Sequence, residues 1–124
     1  MKPVPQTKLH NPPEQNGNCL AAALASLLEL DISEVPEFED MEGDSWWFKL
    51  IDWLHSIGFH LVVWDQEIHY PGFYIVGGTS PRGDFLHSVI YENGKLVHDP
   101  HPSGDGLVKI KDTWTLLPFN PIQF

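Results

Sequence analysis

The sequence contains little cysteine and little positive charge. Cys19 is the single cysteine among 124 residues, which excludes an internal disulfide framework and a zinc site built from several thiolates. The chain has seven Lys and Arg residues and 17 Asp and Glu residues, which give a formal net charge of -10 at pH 7. This charge opposes binding to a phosphate backbone. We therefore expect no nucleic-acid partner.

Long apolar runs are also missing. No segment approaches the length of about 18 apolar residues that a membrane-spanning helix needs, and the first twenty residues hold no apolar run of signal-peptide length. With the lone thiol, which suits a reducing compartment, these absences predict a cytoplasmic protein without membrane contact. Hydrophobic residues still make up 42% of the chain, enough for a core. The length predicts one domain over residues 1–124.

The local pattern changes twice along the chain. Residues 1–18 are rich in proline, which predicts an extended lead-in packed on the body. Strong helix formers then predict a helix over 19–30, with Asn18 as its N-cap, and a second helix over 46–57. Short extended segments follow at residues 59–64, 72–78, 86–91, 95–98 and 106–110. This order predicts an α+β fold, with N-terminal helices packed on a mainly antiparallel β-sheet.

Cys19 is the candidate nucleophile. It stands at the first position of the predicted helix, where unpaired backbone N–H groups and the helix dipole stabilise an anion and so favour a thiolate. The competing interpretation is an inert thiol, because a solitary cysteine among Ala and Leu is commonly a small buried hydrophobic residue. An efficient thiol nucleophile needs a base and a group that orients the base.

His87 and Asp99 are candidates for these two roles, and they lie in a predicted hairpin. If its Asn-Gly pair forms a two-residue turn, Glu92 pairs with Lys95 and His87 lies opposite Pro100. His87 and Asp99 would then point to different faces of the sheet. That register would keep the imidazole away from the carboxylate.

A three-residue turn gives the opposite result. With Gly94 in the left-handed conformation, Tyr91 pairs with Lys95 and His87 lies opposite Asp99. The two Cβ atoms would be about 5 Å apart on one face, so the carboxylate could accept the imidazole N–H. We predict this register. The proline after Asp99 supports it, because proline ends strand pairing.

Three short motifs carry a family resemblance. The run Asn-Gly-Asn-Cys-Leu-Ala-Ala-Ala-Leu-Ala-Ser-Leu-Leu opens a helix, and Leu-His-Ser-Val and His-Asp-Pro follow downstream. This order resembles the papain-like cysteine peptidases, in particular their small bacterial and phage-type members, over residues 15–100. The resemblance implies that Cys19 attacks a carbonyl carbon, His87 acts as base and Asp99 orients it. It implies a cysteine peptidase-like hydrolase that needs no cofactor, forms a thioester and acts on a peptide or protein.

The same family uses a glutamine upstream of the cysteine to help bind the oxyanion. Gln6 lies thirteen residues before Cys19 and Gln15 lies four residues before it, and neither spacing is that of the family. We predict Gln6, because the proline-rich lead-in can fold back toward the helix. Gln15 is the alternative.

Other functions stay open at this stage. The same triad would serve a deamidase or a transamidase, and the fold could instead form a non-catalytic module whose acidic, aromatic surface binds a basic partner. A metal site could use the imidazole and carboxylate groups of His98, Asp99, His101 and His69. The sequence leaves the oligomeric state open.

Two further features have a structural and a functional interpretation. Arg82, in a predicted loop, would either contact a substrate carboxylate or carbonyl or form part of a solvated turn. The adjacent Trp46 and Trp47 would either line a cleft or pack in the core, and their helical spacing favours the core.

Overall fold

Two α-helices precede a five-stranded sheet in the computed structural model, which describes residues 1–119. The helices are α1 (Cys19–Leu28) and α2 (Ser45–Ser56). The strands are β1 (Phe59–Trp64), β2 (Phe73–Thr79), β3 (Leu86–Glu92), β4 (Lys95–His98) and β5 (Lys109–Pro118). Every neighbouring pair of strands is antiparallel. The predicted α+β class is confirmed. Over residues 1–119, neither helix has the length and apolar character needed to cross a membrane.

The strand order in the sheet is β1-β5-β2-β3-β4. β5 therefore lies inside the sheet, between β1 and β2. The sequence predicted only residues 106–110 as a strand, whereas the strand runs over Lys109–Pro118. Its first half carries Lys111 and Asp112, and these charges hid the alternation of buried and half-buried residues that follows.

Helix α1 is buried on nearly every side, as its Ala-rich sequence requires. Its residues pack with Ile75 and Ile90 on one face of the sheet, together with Leu50 and Leu54 of α2. A smaller cluster of Tyr74, Val76 and Val89 covers the opposite face. The sheet thus separates a large helix-facing core from a second, smaller one.

The proline-rich lead-in covers another side of α1. Val4 N–H donates to Ser26 Oγ over 2.9 Å, and Asn18 Oδ1 accepts from the N–H groups of Thr7 and Lys8 at 3.0 and 2.9 Å. The prediction that the lead-in packs on the body is confirmed. The prediction of Asn18 as the side-chain N-cap of α1 is wrong, because these bonds occupy its carbonyl oxygen and no cap bond forms.

The β3–β4 hairpin has a two-residue turn, so the predicted three-residue turn is wrong. Glu92 pairs with Lys95, and both turn residues have positive φ, 49° for Asn93 and 82° for Gly94. Positive φ at both positions is the conformation whose twist matches the flanking strands. An Asn-Gly sequence adopts it at low cost.

A β-bulge nevertheless brings Asp99 onto the same face as His87. Tyr91 pairs with Leu96, but Ile90 pairs with His98, so Val97 is an extra residue. A shift of one residue reverses the face to which every later side chain points. It therefore undoes the separation expected from the two-residue turn and leaves Asp99 diagonal to His87, not opposite it as predicted.

Candidate active site

The best-defined part of the site is a buried pair formed by His87 and Asp99. His87 Nε2 lies 2.6 Å from Asp99 Oδ1, and the two side chains are 2% and 1% exposed. Asp99 also accepts hydrogen bonds from the backbone N–H of His101, at 2.9 Å, and of Gly106, at 2.8 Å. The bulge and the loop after β4 thus place the carboxylate of Asp99 beside His87, the second residue of β3.

These hydrogen bonds determine the protonation of the pair. Burial raises the pKa of Asp99, but the bonds from His87, His101 and Gly106 outweigh burial and hold that pKa below its ordinary value. An ionised carboxylate only accepts hydrogen bonds, so His87 must carry its proton on Nε2. In the neutral ring Nδ1 is then free to accept a proton, which is the state that a general base requires.

Cys19, His87 and Gln6 all line one cavity of about 610 Å³. Cys19 is the first residue of α1 and is partly buried. Asp99 lies behind His87, hydrogen-bonded to its ring. The four residues predicted from the sequence therefore belong to one region of the fold.

His87 and Cys19 approach the cavity from different sides of β3. Ile90 packs with α1, whereas Val89 packs in the cluster on the opposite face, and His87 shares the face of Val89 by strand alternation. His87 is the second residue of β3, so its ring lies near the end of the strand. There it lines both the main cavity and a smaller one of about 190 Å³, and Cys19 lines both as well.

Gln6 is better placed than Gln15 to bind an oxyanion. Its backbone N–H donates to Pro100 O over 3.0 Å, and its side-chain Nε2 donates one proton to Lys8 O over 2.8 Å. An amide NH₂ has two protons, so one is left for another acceptor. Gln15 does not line the cavity within the described part of the chain, and its Nε2 donates to Leu9 O.

Glu39 is a residue of the site that sequence reasoning missed. Its Oε2 accepts from the backbone N–H of Leu20, at 2.8 Å, and of Ala21, at 3.4 Å. Its Oε1 is buried and has no hydrogen-bond partner among residues 1–119. Glu39 comes from an acidic connector in which nothing distinguishes it from its neighbours, so the sequence offers no signal for this role.

The environment of Cys19 opposes ionisation. Burial, followed by the negative charge of Glu39, raises the pKa of the thiol to about 11, while hydrogen bonding with Ser88 works in the opposite direction. The predicted resting thiolate is therefore wrong. The physical reasons are the burial of the thiol and the carboxylate of Glu39, which occupies the N–H groups of Leu20 and Ala21.

Trp46 lines the cavity and also packs against the main core, whereas Trp47 lies edge-on to Trp114 with ring centroids 5.6 Å apart. Both tryptophans therefore pack in the core, as their helical spacing indicated. Trp46 also lines the cleft.

The histidines considered as metal ligands make other contacts. His98 Nε2 lies 2.8 Å from Val4 O, and His101 Nδ1 lies 2.9 Å from Ser103 Oγ. Across residues 1–119, no three His, Cys, Asp or Glu side chains are grouped so as to hold a metal ion. The metal-site hypothesis therefore has no ligand set to support it.

Comparison with protein-family models, curated proteins and solved structures finds no match to this chain. The resemblance to papain-like peptidases accordingly rests on the residues of this chain alone.

Proposed function

We propose that this protein is a thiol-dependent amide-bond hydrolase, with Cys19 as nucleophile, His87 as base and Asp99 as the group that orients His87. The observation that carries the proposal is the buried His87–Asp99 pair, with a 2.6 Å contact, on the cavity that also contains the single cysteine. An ionised carboxylate that is only 1% exposed is costly to bury. A catalytic role accounts for the position of His87 on the cavity wall, with Asp99 behind it.

The protonated resting thiol determines how the first step proceeds. His87 Nδ1 removes the proton from Sγ as the sulfur attacks the carbonyl carbon, and the C–O π electrons move onto oxygen. The tetrahedral intermediate then collapses, the C–N bond breaks, and the imidazolium gives its proton to the leaving amine. A thioester remains on Cys19.

Water completes the cycle. His87 takes a proton from the water that attacks the thioester, and the C–S bond breaks to release a carboxylic acid and the thiol. The oxyanion of both steps would accept from the Cys19 N–H, which has no acceptor within the first turn of the helix, and from the second proton of Gln6 Nε2.

A peptide or protein is the proposed substrate. The volume of about 610 Å³ suits a short segment of chain. The same thioester would also be formed by a deamidase, which acts on a side-chain amide, and by a transamidase, which passes the acyl group to another amine.

An ester substrate tests the chemistry without knowledge of the natural substrate. With p-nitrophenyl acetate, we expect rapid release of one equivalent of p-nitrophenol and an acetyl group on Cys19, detected by mass spectrometry. His87→Gln should slow acetylation by about 10² to 10⁴. His60→Gln is the control, because His60 is an exposed histidine of β1 outside the cavity lining. Equal acetylation rates in the native protein and both variants would refute the proposal.

A non-catalytic interaction module is the second candidate. The pKa of Cys19 near 11 and its nearby carboxylate favour it, because an inert thiol needs no base. Labelling at low pH does not separate the candidates, since the thiol is protonated in both. The acetylation experiment does, because an interaction module has no reason to depend on His87.

A further inference from the structure

Arg82 is the single arginine in the chain, and it lines the main cavity. It is also the one Lys or Arg residue in the described lining of that cavity. The protein has 17 Asp and Glu residues, yet no carboxylate of residues 1–119 is within ion-pair distance of Arg82. An unpaired guanidinium in so acidic a protein calls for an anionic ligand.

The arginine is held in position at two points. Its backbone N–H donates to Ser80 Oγ over 3.1 Å, and Ser80 is itself buried. Its Nη1 donates to Ser103 Oγ over 3.1 Å. A guanidinium has five N–H donors, so this bond fixes the group while leaving donors for a ligand. Fixing the side chain in advance lowers the entropy lost on binding.

The loop after β4 contacts both Arg82 and the proposed catalytic pair. Ser103 Oγ lies 2.9 Å from His101 Nδ1, and His101 N–H donates to Asp99 Oδ1 over 2.9 Å. Arg82, Ser103, His101 and Asp99 are therefore linked through one loop to His87. A ligand group on Arg82 would lie at a fixed distance from the reacting bond.

Arg82, in the loop between β2 and β3, carries the positive charge that faces the cavity. Burial, and then the positive charge of Arg82, hold the pKa of His101 below its ordinary value, which favours the neutral form of that ring. The acidic residue in the cavity lining is Glu39, which caps α1. The described lining of the cavity is mostly apolar, and the carboxylate of Glu39 and the guanidinium of Arg82 are its acidic and basic groups.

We propose that Arg82 binds a carboxylate of the substrate, so that the preferred substrates are amides with a free carboxylate, from an acidic side chain or a chain terminus, close to the bond that is cleaved. This inference rests on the proposed function and adds a substrate class to it. The net charge of -10 alone favours a basic partner. At the cavity itself, however, the unpaired guanidinium of Arg82 favours an acidic substrate.

Alkylation of the single cysteine tests the inference without any turnover. The probes are iodoacetate, iodoacetylglycine and iodoacetylglycylglycine, each compared with its neutral amide, at about pH 9, where more of the thiol is ionised. The ratio of the two alkylation rates, acid over amide, measures carboxylate recognition. The three lengths cover the unknown distance from the sulfur to the guanidinium.

We expect the ratio to fall about tenfold in Arg82→Gln for the probe of fitting length. Lys111→Gln is the matched control, because Lys111 lines the smaller cavity beside Cys19 and its loss removes the same charge. Ratios that change equally in both variants, or in neither at any length, would overturn the inference. The outcome is independent of the ester experiment: acetylation that depends on His87 without a carboxylate preference would leave the hydrolase proposal standing alone.

Discussion

The two halves of the candidate site differ in how completely they are prepared for catalysis. In the base half, Asp99 receives hydrogen bonds from His87, His101 and Gly106, and these fix the imidazole and its tautomer. In the nucleophile half, a carboxylate with an unpartnered oxygen lies at the start of α1, where a thiolate would otherwise be stabilised. The proposed base has the tautomer that its role requires, whereas the proposed nucleophile is held in its protonated form.

This difference favours proton transfer during attack over a resting ion pair. A thiol with a pKa near 11 is unreactive toward most electrophiles at neutral pH, so its reactivity must depend on proton transfer to His87 during attack on a bound substrate. Such a protein would be protected from adventitious oxidation. Its activity would also be unusually sensitive to the orientation of the base.

Removing the orienting carboxylate should have the largest effect. Asp99→Asn offers His87 an amide that cannot select the Nε2 proton as an ionised carboxylate does, and the equivalent change in a serine triad costs about 10⁴ in rate. We expect acetylation by p-nitrophenyl acetate to slow by about 10² to 10⁴. Asp105→Asn, an exposed position in the same loop, is the control and should retain the native rate. Equal rates in the two variants would place Asp99 outside the reaction.

Gln6→Ala should have the next largest effect. Loss of one oxyanion donor costs about 3 kcal/mol, so acylation should slow by about 10². Gln15→Ala is matched in chemistry and should change nothing, because Gln15 is exposed and bonds to Leu9 O. Stopped-flow measurement of p-nitrophenol release distinguishes the two. A larger loss in Gln15→Ala would reverse the assignment.

The sequence predicted the two helices and the first four strands because their hydrophobic periods are strong. It predicted that His87 and Asp99 meet, but through a register that the structure does not have. The bulge at Val97 restores their contact, and neither a glycine nor a proline marks it. Local hydrophobic patterns determine where helices and strands form. A one-residue β-bulge depends instead on how β4 and the following loop pack.

Glu39 is a second feature that local sequence patterns could not predict. Its contact with α1 joins residues 19 positions apart, and no local rule links an acidic connector to the start of a preceding helix. The helix dipole favours a thiolate at Cys19 only where the N–H groups at the start of the helix are free. A tertiary contact supplied their acceptor instead.

Glu39→Gln should make the nucleophile half of the site better prepared for catalysis, as the base half already is. Removing the negative charge should lower the pKa of Cys19 from its value of about 11, although burial still holds it above that of a free thiol. Iodoacetamide alkylation at about pH 8 should then accelerate about tenfold. Asp40→Asn is the control, since Asp40 is an exposed neighbour outside the cavity lining. An unchanged pH–rate profile in Glu39→Gln would mean that burial alone suppresses the thiolate.

The smallest expected effect is on the acid dependence of stability, where the two carboxylates should act with opposite sign. Folding lowers the pKa of Asp99, so its stabilising contribution is present at neutral pH and is lost as the pH falls through the folded pKa. Folding raises the pKa of Glu39, chiefly through burial, so the folded state favours the protonated acid and gains stability as the pH falls through that raised pKa.

Urea unfolding between about pH 7 and pH 3 measures this contrast. Asp99→Asn should reduce the loss of stability on acidification, and Glu39→Gln should increase it, each by about 1 kcal/mol for every unit by which folding shifts the pKa. Asp105→Asn and Asp40→Asn again serve as controls for the loss of one charge. A lowered pKa and a raised pKa must change the acid dependence of the free energy of unfolding in opposite directions. If both test variants changed it in the same direction, the pKa values of Asp99 and Glu39 would not be shifted in opposite directions as the structure indicates.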